Sequence, residues 1–328
     1  MATLTPNVSA PNVSAPEVSI VVPVHNEEGV LEELYSRLKS TLEGIGKTFE
    51  IIFAEDGSLD GSLTKLLAIQ QADARVRVVE LMRNFGQTAA LAAGIDHAVG
   101  EIIVTMDGDL QHAPEEIPRF LAKLDQGFDL VSGWREVRTD SFFIRRIPSK
   151  VANCLMRYLS GVGVQDFGST FKAYRASLLK RIELFGELHR FIPVLAHRLG
   201  ARIAEIPIAV HPRTKGQSKY GLGRSFGVFE DIIFLEFYSN YITKPIRAFG
   251  KLFFAFFGAG FCIASVLMLM WLCGEIQNVL QRGALLLFAV FMMIVGVQFL
   301  VAGILAELLS RIYLQTSNSK IYTVRAVH

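Results

Sequence analysis

The sequence predicts an α/β domain with a mainly parallel central sheet, followed by helices at a membrane surface and two membrane-spanning helices. Two observations lead to this fold class. From Val18 to about Ala209, short β-branched runs alternate with helical patterns, as in parallel sheets flanked by helices. Further along, residues 252–273 and 283–306 carry no charge, and each run exceeds the roughly 18 apolar residues that mark a membrane span.

The elements of the α/β part follow one another in a regular order. Strands are predicted at residues 18–24, 49–55, 76–81, 101–107 and 129–134, and helices at residues 29–42, 62–71, 88–99 and 115–124. Ligands of such sheets bind beyond the carboxyl ends of the strands. The segments "PVHNEE", "AEDGSLDGS" and "MDGDLQ" fall there, so a site is expected at this edge.

The two uncharged runs are interpreted as transmembrane helices, with a buried helical hairpin of a large soluble core as the alternative. Gln298 is the only strongly polar residue within them. Basic residues flank the pair on its outer ends: Lys244, Arg247, Lys251, Arg311, Lys320 and Arg325. By the positive-inside rule, an integral plasma or inner membrane protein with both termini in the cytoplasm is expected.

Charge and cysteine content exclude several classes of protein. The chain has 33 Lys and Arg against 31 Asp and Glu, a net charge of +2, which gives no case for nucleic-acid binding. Its three cysteines show neither paired nor metal-ligand spacing, so no disulfide framework is implied. The first strand is not followed by G-x-G-x-x-G, and a membrane-anchored oxidoreductase therefore loses its main support.

Asp107, Asp109 and Gln111 form the most informative polar pattern. In an extended segment residues two apart share a face, so the three side chains are expected to converge on one ligand. Mg²⁺ and Mn²⁺ prefer oxygen ligands, and substrate phosphates often complete their shell. A solvated loop is the alternative, but the position directly after a buried strand favours a metal site.

Glu55 and Asp56 end the second predicted strand. Their carboxylates could bond a ribose hydroxyl or a base N–H group. The alternative is an ordinary Asx turn and helix cap, in which Asp60 caps the helix that begins at Ser62.

Eight motifs in order resemble one family of enzymes. They are "VVPVHNEE", "AEDGSLDGS", "RNFGQTAALAAGID", "MDGDLQHAPEEIP", "SGWR", "RRIPSKVAN", "QDFGSTFKAYR" and "HPRTKGQSKYG". The chain from Val18 to about Tyr322 thereby resembles the inverting glycosyltransferases of the GT-A fold. The resemblance is to their polyprenyl-phosphate group, similar to dolichyl-phosphate mannose synthase and bactoprenol glucosyltransferases.

The resemblance assigns roles to residues of the donor side. Contact with the nucleotide is implied for Pro23, His25, Glu27, Glu55 and Asp56. Asp107 is placed beside the ribose or sugar, and Asp109 and Gln111 are implied to hold Mg²⁺ or Mn²⁺. His25 stands where this group often has Tyr, Glu55 where it usually has Asp, and Ser169 where it often has Cys.

On the acceptor side the resemblance places Arg135, Arg145 and Ser149 at the lipid phosphate and Asp166 near it, as an orienting group or a base. A buried capping role for Asp166 is the alternative. Arg213 and Lys219 match phosphate-contacting positions in a basic loop that could close over a diphosphate. A basic surface near anionic lipid is the other interpretation of these charges, together with those of Arg138, Arg146 and Lys150.

The implied domain organisation has five parts. They are a disordered tail at 1–16, a GT-A catalytic domain at 17–224, interfacial juxtamembrane helices at 225–248, a transmembrane hairpin at 249–310 and a cytoplasmic tail at 311–328. The aromatic stretch within 225–243 is predicted to lie along the membrane, with a plain core helix as the alternative. Gly258 and Gly260 would allow close helix contacts and a possible homo-oligomer.

The expected reaction is attack of a lipid phosphate oxygen on the anomeric carbon of a nucleotide sugar, with inversion and with the nucleoside diphosphate as leaving group. UDP-glucose is the favoured donor and GDP-mannose the second. A processive polysaccharide synthase is disfavoured because the sequence has no Q-x-x-R-W motif. A non-enzymatic scaffold is also disfavoured, since the acidic and basic motif residues are retained.

Overall fold

The computed structural model describes residues 15–135, 157, 162–184, 188–209, 246–275, 278–316 and 320–328. The chain divides into two compact units. The first contains Met1–Val228 together with Lys320–His328, and the second contains Phe229–Ser319. The predicted N-terminal tail up to residue 14 and the predicted interfacial segment up to residue 245 lie outside the described residues and stay predictions.

The first unit is built on one eight-stranded sheet with the order β7-β5-β6-β4-β1-β2-β3-β8. The strands are β1 Val18–Val24, β2 Phe49–Glu55, β3 Val76–Leu81, β4 Ile102–Thr105, β5 Leu130–Arg135, β6 Lys172–Arg175, β7 Ile203–Ile208 and β8 Val324–Val327. All run parallel except β6, which lies antiparallel between β4 and β5, and β8, which is antiparallel to β3. The predicted mainly parallel α/β sheet is confirmed.

Helices cover both faces of this sheet, which is why its central strands are apolar on both sides. They are α1 Leu31–Ile45, α2 Ser62–Ala72, α3 Gln87–His97, α4 Ile117–Asp125, α5 Ala176–Leu179 and α6 Ile192–Arg198. On one face Ile20 and Val22 of β1 join a core with Leu34 of α1. On the other face Val21 joins a core with residues of α3.

The order of the strands creates a crevice beside β1. The chain passes from β1 to β2 and β3 on one side, and then returns to place β4 on the other side of β1. Such a switch point separates the loops at the carboxyl ends of neighbouring strands and leaves room for a ligand. Gly108 lies in this crevice, where an added Cβ atom would lie 3.2 Å from the carbonyl oxygen of Pro23.

The second unit contains two long apolar helices, α7 Ile246–Leu272 and α8 Gly283–Thr316. Both are long and apolar enough to cross a membrane, over Ile246–Leu272 and Gly283–Ser310. Only 11% of each candidate span is buried inside the unit, which fits helices that face lipid and not the soluble core hairpin considered as the alternative.

Small residues bring the two helices together within the hairpin. A Cβ atom added at Gly260 would lie 2.5 Å from the Ala289 carbonyl oxygen, and one at Gly296 would lie 2.8 Å from the Phe257 nitrogen. Close approach through glycine is how apolar helices pack where no hydrophobic force drives them together. Gly260 therefore allows the close contact between the two helices of the hairpin, whereas a Cβ atom added at Gly258 would meet open space.

The C-terminal segment differs from the tail predicted for residues 311–328. Helix α8 continues to Thr316, and β8 then pairs with the edge strand β3 of the first unit. Arg325 forms an ion pair with Glu80 at 2.8 Å, and the Tyr322 hydroxyl donates to Asp96 at 2.6 Å. An edge strand presents unpaired backbone N–H and C=O groups. Strand β8 hydrogen-bonds to those of β3, although the two strands lie about 245 residues apart in the chain.

We predict that Gly94→Ala destabilises the protein although alanine is the better helix former. Gly94 lies in α3, and its added Cβ atom would lie 2.3 Å from Val21 Cγ1. Overpacking against the stiff side chain of valine costs about 1–3 kcal/mol. Thermal unfolding of the purified full chain should show a lower Tm.

Gly44→Ala is the matched control. Gly44 lies in α1, and no atom lies within 4 Å of its added Cβ atom. Its replacement should raise the stability by about 0.5–1 kcal/mol through helix propensity alone. Equal Tm changes in the two variants would contradict the packing of α3 on β1.

Candidate active site

The loops after β1 and β2 are joined by side chains that bond backbone groups. Asn26, with a φ of 58°, takes a left-handed conformation that asparagine tolerates. Its backbone nitrogen donates to Ser58 Oγ at 3.0 Å, and its Oδ1 accepts from the Leu59 nitrogen at 2.8 Å. The Glu27 nitrogen donates to Ser62 Oγ at 3.0 Å. The "PVHNEE" and "AEDGSLDGS" motifs therefore fold as one body at the carboxyl edge of the sheet.

Glu55 and Asp56 are buried and accept hydrogen bonds from backbone amides. Glu55 accepts from the nitrogens of Gly57 and Ser58, at 3.2 and 2.5 Å. Asp56 accepts from the nitrogens of Phe85 and Gly86, at 2.7 and 2.9 Å, and so holds the loop before α3. Burial raises the pKa of Asp56, and these two amide bonds oppose that shift. Asp60 accepts from the Ser62 nitrogen at 3.0 Å, which is the turn contact of the alternative interpretation, whereas the N-cap residue of α2 is Gly61 and has no side-chain bond.

His25 lies between the loops after β2 and β3. Its Nδ1 is 2.9 Å from the Asp56 carbonyl oxygen and 3.1 Å from the side-chain nitrogen of Asn84. Its Nε2 is 3.1 Å from the amide nitrogen of Asn84 and 3.1 Å from that of Asn26. Asn84 had no role in the sequence interpretation, although it stands in the motif "RNFGQTAALAAGID".

The acidic motif after β4 is a turn, and the expectation of an extended segment was wrong. Strand β4 ends at Thr105, and Leu110 adopts a φ of 59°, which reverses the chain direction. The Gln111 nitrogen donates to Asp109 Oδ1 at 3.1 Å, and Asp107 Oδ1 accepts from the Gln87 side chain at 2.8 Å. A buried leucine in a left-handed conformation is strain of the kind found at functional sites.

Asp109, with 8% of its surface exposed, and Gln111 carry the carboxylate and the amide that the sequence interpretation assigns to a metal ion. Both are oxygen donors of the kind that Mg²⁺ and Mn²⁺ prefer, and their role as ligands stays a prediction. Within the described ranges there is no group of three or more His, Cys, Asp or Glu residues that could hold a metal ion. Two protein oxygens leave most of the shell of Mg²⁺ or Mn²⁺ to phosphate and water, as is usual for these ions at phosphate-transfer sites.

His112 directly follows this turn and was missed by the sequence interpretation. It is 3% exposed, and its Nδ1 has no hydrogen-bond partner in the part of the chain that the structure describes. Nδ1 lies 4.0 Å from Asp107 Oδ2, and the ring packs on Phe171. Burial and the charge of Arg135 lower the pKa of His112 to about 4. An uncharged imidazole thus stands behind the acidic turn.

Arg135 and Asp166 come together although 31 residues separate them in the chain. Arg135 ends β5, and its Nε and Nη2 donate to the two carboxylate oxygens of Asp166 at 2.6 and 2.9 Å. Asp166 is 4% exposed, so this fork is shielded from water. The structure thus joins two of the residues that the resemblance placed at the acceptor.

Arg145, Ser149, Arg213 and Lys219, with Arg138, Arg146 and Lys150, lie outside the described residues, and their roles stay predictions. Pro23 lies within β1 opposite Ala54.

Comparison with known proteins agrees with this architecture. The family model described as "Glycosyl transferase family 2" matches residues 19–183. The dodecaprenyl-phosphate galacturonate synthase of Rhizobium johnstonii is 38% identical over 316 residues, which cover 94% of this chain and 92% of that protein. The undecaprenyl-phosphate 4-deoxy-4-formamido-L-arabinose transferase of Edwardsiella ictaluri is 38% identical over 299 residues, covering 90% and 89%.

Solved structures show the same fold at lower identity. The glucosyl-3-phosphoglycerate synthase of Mycobacterium tuberculosis, in complex with Mn²⁺, UDP and phosphoglyceric acid, has a TM-score of 0.53 and 21% identity, covering 68% of this chain and 78% of that one. The family model and the two relatives, both named as polyprenyl-phosphate sugar transferases, confirm the resemblance, and the chain belongs to glycosyl transferase family 2.

Proposed function

We propose that this protein transfers one sugar from a nucleotide sugar to a polyprenyl phosphate, with inversion at the anomeric carbon. The observation that carries the proposal is the arrangement at the carboxyl edge of the sheet. There the Asp107–Gln111 turn follows β4, and Arg135 at the end of β5 forms an ion pair with Asp166. The family motifs indicated these residues, and the structure shows the turn and the pair. The apolar hairpin and the two relatives, each named for a polyprenyl phosphate, support the lipid acceptor.

On the donor side, Asp109 and Gln111 would hold Mg²⁺ or Mn²⁺, which supplies positive charge to the departing nucleoside diphosphate. The loops built by Glu55, Asp56 and Asn26 would line the nucleotide. The carboxylates of Glu55 and Asp56 and the side-chain oxygen of Asn26 already accept bonds from backbone amides, so these loops are rigid before the donor arrives. Rigid loops reduce the ordering cost of binding.

On the acceptor side, no strong general base is needed. A phosphate monoester has a second pKa near 6, so at about pH 7 it is largely a dianion and already nucleophilic. Asp166 binds the guanidinium of Arg135 through both oxygens, which suits it to orient that cation more than to accept a proton. Arg145 and Ser149 are proposed to complete the phosphate site, and Arg213 and Lys219 to close over the diphosphate.

The identity of the sugar is the finer part of the proposal. The sequence interpretation favours UDP-glucose, with GDP-mannose as the alternative. The two relatives are instead named for galacturonate and for 4-deoxy-4-formamido-L-arabinose. We therefore propose a UDP-sugar as donor and rank the uronate and the formamido-pentose ahead of glucose.

A location in the plasma or inner membrane follows from the hairpin. The chain enters the second unit from the first and returns to it, because Lys320–His328 belongs to the sheet unit. A two-helix hairpin begins and ends on one side of a bilayer, and the flanking basic residues favour the cytoplasmic side. Since Gly260 packs within the hairpin, any homo-oligomer would use other positions.

Asp109→Ala and Gln111→Ala should each lower sugar transfer by more than the roughly 10–100-fold typical of outer-shell partners of a metal. Mn²⁺ binding to the purified protein with UDP, followed by electron paramagnetic resonance, should weaken in parallel. Asp125→Asn, which changes an exposed carboxylate on α4, is the control. Full turnover of the double variant in excess chelator would refute the metal role.

The dependence of transfer on pH should reflect the acceptor. Below about pH 6 the lipid phosphate is a monoanion, so kcat/KM for the acceptor should rise as the pH increases through about 6 and then level off. Asp166→Asn should lower that value by roughly 10–100-fold through misalignment of Arg135 and should keep the same rise. If the rise vanished in the variant, Asp166 would be the base.

A donor screen with radiolabelled sugars should give a product that extracts into organic solvent. We expect UDP-galacturonate or a UDP-linked formamido-pentose to label polyprenyl phosphate, with one sugar per lipid. Labelling by UDP-glucose alone would restore the donor expected from the sequence. No product with any nucleotide sugar would favour a non-enzymatic scaffold, and a ladder of products would favour a processive synthase.

A further inference from the structure

A row of four polar side chains crosses the sheet near the carboxyl ends of β4 and β5. Thr105 of β4 pairs with Lys172 of β6, Lys172 pairs with Ser132 of β5, and Ser132 pairs with Glu205 of β7. Residues paired across neighbouring strands project to the same face of a sheet. We call Thr105, Lys172, Ser132 and Glu205 the polar row. Its first three members are at most 1% exposed.

The polar row holds the backbone of the loop at residues 165–170. Glu205 accepts from the Gln165 nitrogen at 2.8 Å and from the Asp166 nitrogen at 3.3 Å. Lys172 donates to the Ser169 carbonyl oxygen, and Thr105 donates to the Thr170 carbonyl oxygen at 2.6 Å. Both ends of the loop are therefore fixed by side chains of three different strands.

Two members of the polar row are ionisable groups whose burial costs free energy. Burial lowers the pKa of Lys172 to about 8, and burial raises the pKa of Glu205. Buried charges are rare in proteins unless they have a specific task. Among the described residues, no carboxylate lies within ion-pair distance of Lys172. Its ammonium group instead donates to the Ser169 carbonyl oxygen.

The loop that the polar row holds is the one that carries Asp166. Glu205 accepts a hydrogen bond from the backbone nitrogen of Asp166. The two carboxylate oxygens of Asp166 in turn accept from Nε and Nη2 of Arg135. Gly168 of the same loop packs against Arg135, since its added Cβ atom would lie 3.2 Å from Nη2. A displacement of the loop would therefore move the guanidinium.

We propose that Glu205 and Lys172 are positioning residues that set the Asp166–Arg135 pair for the acceptor phosphate. The inference rests on the function proposed above. Neither side chain needs to touch a substrate, because each acts through the loop backbone. The resemblance to the family gave neither residue a role.

Glu205→Gln tests the proposal. The amide replaces one accepting oxygen by an N–H donor that faces backbone N–H groups, so the loop must shift. A displacement of about 1 Å can cost about 100-fold in rate. We expect kcat/KM for polyprenyl phosphate to fall by that order, while the KM of the nucleotide sugar stays within about two-fold.

Lys172→Met removes the other contact without adding a polar group. The same selective loss for the acceptor is expected, and the double variant should lose little more than either single variant because both act on one loop. Hydrogen exchange at residues 162–171 should rise in each variant. If Glu205→Gln does not fold, Lys172→Met carries the test.

Two matched controls separate positioning from stability. Glu50→Gln changes a buried glutamate that accepts from the Val99 nitrogen at 2.8 Å, and Lys180→Met changes a lysine that donates to the Ala98 carbonyl at 2.7 Å. Both contacts lie at the amino ends of the strands. These variants should lower Tm without a selective effect on the acceptor.

Two outcomes would count against different claims. The first outcome is an active wild type whose Glu205→Gln and Lys172→Met variants have a lower Tm but unchanged kinetics, or an equal fall in kcat/KM for donor and acceptor. Either result would overturn the positioning role and leave the proposed transferase activity intact. An inactive wild type with every donor would refute the proposed function itself, and the positioning role with it.

Discussion

The bidentate ion pair between Arg135 and Asp166 is the interaction on which the proposed acceptor side of the site depends. It joins the end of β5 to a loop 31 residues further along the chain, in surroundings where Asp166 is almost fully buried. A guanidinium held through two parallel bonds has a defined plane, which a flexible arginine lacks. The orientation of the cation is therefore a property of the sheet beneath it and not of the side chain alone.

The proposed donor side shows a different use of acidic groups. Glu55 and Asp56 accept hydrogen bonds from backbone amides of neighbouring loops, and these bonds fix the conformation of the loops without any ligand. The turn that contains Asp109 is held in part by Leu110 in a left-handed conformation. The two halves of the site thus share one principle, because buried polar contacts fix the loop backbone before substrates bind.

The C-terminal strand belongs to the sheet unit, although it follows the two apolar helices in the chain. Strand β8 completes the sheet at β3, the strand whose following loop is held by Asp56. A chain that ended after its last apolar helix would leave this edge unpaired.

The sequence by itself determined the strands β1 to β5, the helices between them and the two apolar helices, because these depend on local periodicity and composition. It also indicated Asp107, Asp109, Gln111, Arg135 and Asp166 through motifs. Only the tertiary structure decided which groups meet: the turn at Leu110, the return of β8, the packing of His112 on Phe171 and the polar row with Lys172 and Glu205. In the sequence, Lys172 and Glu205 are indicated only by a lysine that interrupts the apolar run in "TFKAYR" and a glutamate that interrupts the one in "IAEIPI". Their partners come from strands distant in the chain, and strand order cannot be inferred from local pattern.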